Sequence, residues 1–273
     1  MKNVLATWKW SLTVIARSPL VLGALAVVVA AWLYGAYRWL WFPMESAGYL
    51  FVLGLAWVLV QAVVLAGFLA GTAASAGDAA AAGATFLCTR KLVGFSRWQL
   101  LRSVVFVVVA SLLALALRYL FARLDHFALE VASFLTFQSQ KPVSPETIGK
   151  VFGVVETLLW IVVLGFLLSF LLALIRKDWR ESLRAAPRLL ANACWRMPFL
   201  TSLLSLLVFG GLAYLLASWH PKVSPGFADY AQLIVRQGVA LLLAVAGWLF
   251  WILSLARLSL PTRDQLDSHG SAG

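Results

Sequence analysis

Two ionisable residues lie inside long apolar segments of the chain, where a charge is costly. Glu156 falls within the apolar segment 151–175 and Arg236 within the segment 231–256, each about one and a half helical turns from the beginning of its segment. A lone charge at that depth usually faces the interior of a helix bundle and pairs with an opposite charge. We therefore predict an intramembrane ion pair between Glu156 and Arg236. The alternatives are that each side chain extends to the nearby lipid headgroups, or that the two handle protons or anions.

The remaining polar residues do not form a recognisable catalytic or metal-binding pattern. Gln61 lies near the middle of the apolar segment 47–72, where we expect a hydrogen bond between helices. His126, His220 and His269 are scattered, and none has the spacing of a metal site such as His-Glu-x-x-His. Nucleophile-elbow, Walker and dinucleotide-binding motifs do not occur. The sequence therefore predicts no metal, no cofactor and no enzymatic activity.

Basic side chains recur on amphipathic segments that lie between the apolar ones. In the segments 2–17 and 178–197, polar and basic residues follow one another at intervals of four beside an apolar stripe. A helix of this kind lies in the headgroup plane, with its apolar stripe in the bilayer and its cations at lipid phosphates. The two apolar stripes are Leu5, Trp8, Leu12 and Ile15, and Trp179, Leu183, Ala186, Leu190, Ala193 and Met197. The residues that we expect to bind anionic lipid headgroups are Lys9, Arg17, Arg180, Arg184, Arg188 and Arg196.

The composition of the chain fits a membrane protein and excludes a soluble globular one. Hydrophobic residues make up 62% of the 273 positions and the mean hydropathy is +0.90, whereas apolar residues are a little under half of soluble domains. Six apolar segments reach the roughly 20 residues that a helix needs to cross the hydrocarbon core. They are 19–41, 47–72, 103–122, 151–175, 198–219 and 231–256. We predict an all-α transmembrane bundle of about six helices, forming a single domain over 1–273.

The distribution of lysine and arginine predicts the orientation. If both termini are cytoplasmic, 15 of the 22 basic residues fall on the cytoplasmic side, as the positive-inside rule requires. We therefore predict a multi-pass protein of a bacterial plasma (inner) membrane with both termini in the cytoplasm. The net charge of +11 is spread between the apolar segments, which favours anionic lipid over nucleic acid as the partner.

The cytoplasmic segments also suggest an internal repeat. A segment that starts at Asp78 and another that starts at Asp178 both lead to an aromatic residue and an arginine ahead of a span. These exits are Phe95-Ser96-Arg97-Trp98 and Trp195-Arg196-Met197-Pro198, and Ala16-Arg17-Ser18-Pro19 is similar. We interpret the chain as three repeats of a cytoplasmic interfacial helix followed by a two-span hairpin. The outer loops also match, at Val143-Ser144-Pro145 and Val223-Ser224-Pro225, where chance recurrence of turn residues ahead of a helix is the alternative.

This interpretation places interfacial helices at 2–17, 79–96 and 178–197. A further interfacial helix is predicted at 123–137 on the outer face, because apolar residues there are spaced three and four apart. The alanine-rich segment 71–84 is either a continuation of the second span or a linker.

The basic amphipathic segment, the aromatic-Arg-x-Pro exit and the hairpin that follows are most complete in 178–219. This arrangement resembles a broad group of poorly characterised bacterial six-span membrane proteins. That group is similar to the membrane domain of some glycerophosphodiester phosphodiesterases. The resemblance implies a six-helix membrane domain, but the 273 residues hold no phosphodiesterase domain, so it transfers no catalytic residue.

Three functions are compatible with the sequence. The first is a non-enzymatic membrane component whose basic helices bind anionic lipid or a membrane-protein partner. The second is a transporter or lipid-handling protein with a cavity near Glu156, Arg236 and Gln61. The third and least favoured is an intramembrane enzyme, which needs a cluster of polar side chains that the sequence does not indicate.

Overall fold

A computed structural model describes residues 2–40, 48–219 and 227–259. Within these ranges, six helices are long and apolar enough to cross a membrane, which confirms the predicted all-α, multi-span bundle. In chain order the elements are α1 (Lys2–Ala16), α2 (Pro19–Leu40), α3 (Gly48–Ala82), α4 (Thr89–Val93), α5 (Arg97–His126), α6 (Ala128–Ser139), α7 (Pro145–Arg176), α8 (Trp179–Trp195), α9 (Met197–Leu204), a π-helical segment (Ser205–Gly210), α10 (Gly211–Ser218) and α11 (Phe227–Leu258). Together α9, the π-helical segment and α10 form the fifth span.

Proline residues determine where three of the spans begin. Pro19, Pro145 and Pro198 each lie at the first or second position of a helix, where the missing backbone N–H would have no partner in any case. The Ser144 hydroxyl accepts a hydrogen bond from the Thr147 backbone N–H at 3.3 Å and caps α7. The chain therefore turns from surface helix to span at positions that the sequence itself specifies.

The alanine-rich segment 71–84 continues the second span and is not a linker. Within this segment, Ala73, Ala76, Ala79 and Ala80 are buried in the core of the bundle, since small side chains let neighbouring helix backbones approach closely. At the end of α3, Gly83 has a φ of +60°. The Ala84 N–H then binds the Ala79 carbonyl at 2.9 Å and the Gly83 N–H binds that of Ala80 at 3.3 Å, as in a Schellman motif.

The surface helices differ in extent from the predicted segments. The helix predicted at 79–96 is reduced to the five residues of α4, because α3 runs to Ala82 and Gly83 ends it. The outer helix predicted at 123–137 is α6, displaced toward the carboxyl end because α5 continues to His126. The segments 2–17 and 178–197 correspond to α1 and α8.

The spans pack tightly at one end of the bundle only. We call the end that carries α1, α4 and α8 the basic end, and the opposite end the far end. The buried core contains Val14, Leu25, Ala70, Leu171 and Leu253, all in the halves of their helices that lie toward the basic end. Toward the far end, the spans expose long apolar faces, which suit contact with lipid.

The three surface helices of the basic end dock in a common way. α1 packs against α11, α4 against α3, and α8 against α7. Each therefore contacts the second span of the preceding hairpin, with α1 closing the ring onto the last one. This shared arrangement is what three repeats would produce, although the repeat itself remains an interpretation.

The π-helical segment shapes the contact between the fifth span and α11. It brings Phe209 over Gly247, where an added Cβ would lie 2.5 Å from the Phe209 Cβ. The Ser205 hydroxyl donates to the Gly247 carbonyl at 2.8 Å, and the Phe209 and Phe250 ring centroids are 5.4 Å apart. A π-helical turn inserts an extra residue into a helix, and here it fixes α10 against the far half of α11.

Candidate functional site

Helix α8 carries three distinct edges along its length. Ser182 and Ala193 are buried against the bundle. Leu183 and Leu190, on a neighbouring edge, are 58% and 45% exposed. The third edge is basic and exposed, and consists of Arg180, Arg184 and Arg188. The predicted apolar stripe therefore divides, with Ala193 facing the protein and the two leucines left open.

The start of α8 is held by an arginine of a different span. Arg102 of α5 donates hydrogen bonds to the carbonyls of Leu174 at 3.2 Å and Lys177 at 2.8 Å. These carbonyls belong to the end of α7, where backbone acceptors lack helical partners and a cation is favourable. The same guanidinium forms an ion pair with Asp178 at 2.8 Å. Asp178 occupies the N-cap position of α8, but its side chain makes no capping hydrogen bond.

Helix α1 repeats this division of edges. Thr7, Ser11 and Val14 are buried against the bundle, and Ser11 shares a hydrogen bond of 2.9 Å with Ser254 of α11. Leu5 and Leu12 are 61% and 48% exposed. The predicted stripe again divides, because Leu5 and Leu12 are open while Ile15 of the same stripe is buried.

Tryptophans anchor α1 to three other parts of the basic end. The Trp8 indole donates to the Thr201 hydroxyl of α9 at 3.1 Å. The Trp10 indole donates to the Ala84 carbonyl at 3.0 Å, and the Arg257 guanidinium lies 4.5 Å from its ring centroid. A cation over an indole face is attracted by the ring quadrupole. Helix α1 is thus a fixed part of the bundle, and its outward edges have a defined orientation.

All six side chains that the sequence predicts for headgroup binding are exposed at the basic end. The ion pairs Arg102–Asp178, Glu146–Lys150 and Lys177–Glu181 are seen among the described residues, and none of them includes any of those six. Lys9, Arg17, Arg180, Arg184, Arg188 and Arg196 are therefore available to an external anion.

The structure does not bring Glu156 and Arg236 together as the predicted ion pair. The Glu156 carboxylate accepts a hydrogen bond from the Trp160 indole of its own helix at 3.3 Å. Arg236 faces α10 and lies beside Leu216 and Trp219. Both charges lie in the halves of α7 and α11 toward the far end, outside the large buried core.

Gln61 holds α2 and α3 close together. Its side-chain amide lies against Gly35 of α2, in space that a Cβ would need. The Trp32 indole donates to the backbone carbonyl of Gln61 at 3.1 Å, and the Trp57 indole donates to the backbone carbonyl of Gly35 at 3.2 Å. The Gln61 Oε1 is buried without a hydrogen-bond partner among the described residues. The hydrogen bonds between α2 and α3 here are thus donated by two indoles to backbone carbonyls, and the side-chain hydrogen bond expected of Gln61 stays a prediction.

Recesses open on the surface of the part of the bundle that the structure describes, and two of them bear on the predicted sites. One, of about 250 Å³, lies between α2, α3 and α11 and is apolar, with Trp32, Phe68 and Trp248 in its wall. The other, of about 410 Å³, lies between α10 and α11 and contains Arg236. Neither is lined by Glu156 or Gln61, so neither is the cavity predicted near all three polar residues.

Several positioning residues were not predicted from the sequence. Arg102 and Ser11 carry no predicted role. A signal for Ser11 exists, since Thr7 and Ser11 are four residues apart on the side of α1 opposite the exposed leucines. No signal in the sequence identifies Arg102, because its partners are backbone carbonyls 72 and 75 residues away.

Histidine and metal predictions fall mostly on residues without a described side chain. His220 and His269 lie outside the described residues, and so does the side chain of His126.

Comparisons of the chain with protein families, curated proteins and solved structures give no match. The resemblance to the six-span bacterial proteins therefore stays an expectation.

Proposed function

We propose that this protein is a non-enzymatic component of the bacterial plasma membrane that binds anionic lipid through α1 and α8. The observation that supports the proposal is the same in both helices. Small residues face the bundle, and an exposed leucine edge lies beside exposed basic side chains. These are Lys9 in α1, with Arg17 directly after the helix, and Arg180, Arg184 and Arg188 in α8. Leucines on one edge enter the acyl region, and lysine or arginine on the next edge reaches lipid phosphate.

The orientation of the helices suits this role. Because the hydrogen bonds of Arg102 and the tryptophans fix α8 and α1 on the bundle, the basic edges are held in place before a lipid arrives. Preorganised cations lose less freedom on binding than mobile ones. The predicted cytoplasmic location places these edges at the leaflet with a negative surface potential.

The expected strength follows from the charge of the edge. Each lysine or arginine near an anionic surface contributes about 1 kcal/mol, so the three arginines of α8 contribute up to about 3 kcal/mol. Salt screens such exposed charges. Binding should therefore weaken as ionic strength rises, while the leucine edges retain contact with neutral lipid.

The experiment is photocrosslinking in proteoliposomes that contain a photoactivatable phosphatidylglycerol or its phosphatidylcholine analogue. Lipid adducts are assigned to peptides by mass spectrometry. We expect α8 to be labelled more by phosphatidylglycerol than by phosphatidylcholine. The triple variant R180Q/R184Q/R188Q should lower that labelling about tenfold, which corresponds to 1.4 kcal/mol.

The matched control changes the same number of arginines at the far end. The variant R38Q/R118Q/R123Q also lowers the net charge from +11 to +8, and it should leave the labelling of α8 unchanged. Equal labelling of α8 by the two lipids would overturn the proposal, as would full labelling in R180Q/R184Q/R188Q. A protein partner at the basic edges is then the remaining candidate.

The apolar recess between α2, α3 and α11 favours lipid handling as a second candidate function. Its wall includes the exposed residues Val28, Val64 and Ala244, so it opens toward the surrounding lipid. A recess of about 250 Å³ without polar lining suits part of an acyl chain. In that case the protein would move or hold a lipid as well as bind its headgroup.

A further inference from the structure

Arg236 lies in a recess at the far end that offers it no anionic partner. The recess lies between α10 and α11, and its volume is about 410 Å³. Apart from Arg236 and Gln232, the side chains around it are apolar or aromatic. An arginine on a membrane span usually pairs with another group or marks a binding site.

The guanidinium of Arg236 has unused hydrogen-bonding capacity. Its Nε is buried and has no hydrogen-bond partner in the part of the chain that the structure describes. The carboxylate expected from the sequence to pair with it, Glu156, is bound to Trp160 instead. Because guanidinium donors are arranged to bind two oxygens of a phosphate or carboxylate, an unpartnered one favours such a ligand.

A second polar side chain lies beside Arg236. Gln232 is one helical turn earlier on α11 and lines the same recess. Both residues are partly buried, so neither extends freely into solvent or lipid. The Gln232 amide can donate to a further oxygen of the same headgroup.

The surroundings of the recess identify the ligand as a lipid. Val235 and Val239, which line the recess, are exposed on the outer surface of the span, where an acyl chain would lie. Trp219, at the end of the fifth span, lines the side nearer the headgroups. Arg236 lies five residues inside the predicted span 231–256, about 7.5 Å from its start, so its long side chain can reach the phosphate layer.

Arg236 differs from the other arginines of the far end. Arg38 and Arg118 are exposed on their helices, as expected for side chains that extend to the headgroups. Arg236 is instead enclosed on one side by Leu216 and Trp219. Because of this enclosure, Arg236 can bind one lipid at a defined position, whereas exposed arginines contact headgroups of the membrane surface in general.

We propose that the recess between α10 and α11 binds one anionic phospholipid of the far-end leaflet, with its phosphate at Arg236 and Gln232 and an acyl chain along Val235 and Val239. This site goes beyond the function proposed above, since it uses other residues, other helices and the opposite leaflet.

The test uses the full chain in proteoliposomes with the same photoactivatable lipids, and it measures adducts on the peptides of α10 and α11. We expect phosphatidylglycerol to label them at least tenfold more than phosphatidylcholine does. Arg236→Gln should reduce that labelling about tenfold. Arg236→Lys should retain part of it, because lysine keeps the charge but loses the bidentate geometry.

Matched controls distinguish this site from a general attraction of anionic lipid to the far end. Arg118→Gln removes an exposed far-end arginine and should change nothing. Glycerol 3-phosphate added in excess should not compete, since a soluble phosphate lacks the acyl chain.

Three results would overturn the proposal. They are equal labelling by the two lipids, unchanged labelling in a correctly folded Arg236→Gln protein, and competition by glycerol 3-phosphate, which would indicate a site for a soluble anion. Folding is checked by the melting temperature in detergent, measured by size-exclusion chromatography after heating. The triple variant of α8 should leave the α10 and α11 adducts intact, so this site and the basic edges can fail independently.

Discussion

The contact between α7 and α9 at Gly165 leads to a quantitative prediction. Gly165 is buried, and a Cβ added there would lie 2.7 Å from the Ser202 Oγ. That hydroxyl cannot easily rotate away. It donates to the Pro198 carbonyl at 2.8 Å and accepts from the Trp251 indole at 2.9 Å. We therefore expect Gly165→Ala to destabilise the bundle.

The magnitude follows from two opposing effects. Replacing glycine by alanine inside a helix stabilises it by about 0.5–1 kcal/mol. Overpacking a buried contact costs about 1–3 kcal/mol. Gly165→Ala should therefore lower the free energy of unfolding by up to about 2.5 kcal/mol. Gly153 of the same helix has no atom within 4 Å of an added Cβ, so Gly153→Ala should be neutral or stabilising.

A double-mutant cycle with Ser202→Ala isolates the steric effect. Removing the hydroxyl leaves the Ser202 Cβ, 3.6 Å from the added methyl group, as the nearest atom of that side chain. Ser202→Ala alone should be destabilising because the buried Trp251 indole loses its acceptor. In a protein that already carries Ser202→Ala, however, Gly165→Ala should become neutral or stabilising, with a coupling energy of about 1–3 kcal/mol.

The assay is unfolding of the purified protein in mixed detergent micelles at increasing dodecyl sulfate, followed by circular dichroism. It compares wild type, the three single variants and the double variant. The same loss for Gly165→Ala with and without the Ser202 hydroxyl would refute the steric explanation. Behaviour of Gly165→Ala like that of Gly153→Ala would show that the close contact with Ser202 does not exist.

Two further predictions concern the basic end. Arg102→Gln should lower the free energy of unfolding by about 1–3 kcal/mol and increase hydrogen exchange at the start of α8, whereas Asp178→Asn should have less effect because its side chain is 81% exposed. A Cys194→Ser protein retains Cys88, which is exposed beside α4. A membrane-impermeant maleimide should label Cys88 in inside-out vesicles and not in intact cells, and the reverse pattern would place the basic end outside the cytoplasm.

The spans could be predicted because their causes are local. Length and hydropathy determine whether a helix can cross a bilayer, and Pro19 and Pro198 mark helix starts through their own covalent structure. For the alanine-rich end of α3, the sequence could not distinguish a continuation of the span from a linker, because the deciding contacts are not local. Alanine is compatible with a linker or a helix, and the buried neighbours of Ala73 and Ala76 are what hold it in the core.

The orientation of the surface helices was less predictable. A stripe of leucines in a membrane protein can face lipid or protein, because both are apolar. The sequence therefore placed Leu5 and Ile15 on one stripe, whereas the structure leaves Leu5 exposed and buries Ile15 with the bundle. The basic residues were easier to predict, because burying a charged side chain such as that of Arg184 in the bundle would be costly.

The sequence alone thus determined the class of protein, the six spans and the exposed basic residues. Each depends on solvation, which a residue and its near neighbours decide. Tertiary structure alone decided which polar groups meet. Glu156 and Arg236 occupy equivalent depths in their spans, yet the helices converge at the basic end and leave the two charges apart. Ala70 is likewise buried among the spans and Ser11 is bonded to Ser254 of α11, and such close packing between distant segments has no signature in the local sequence.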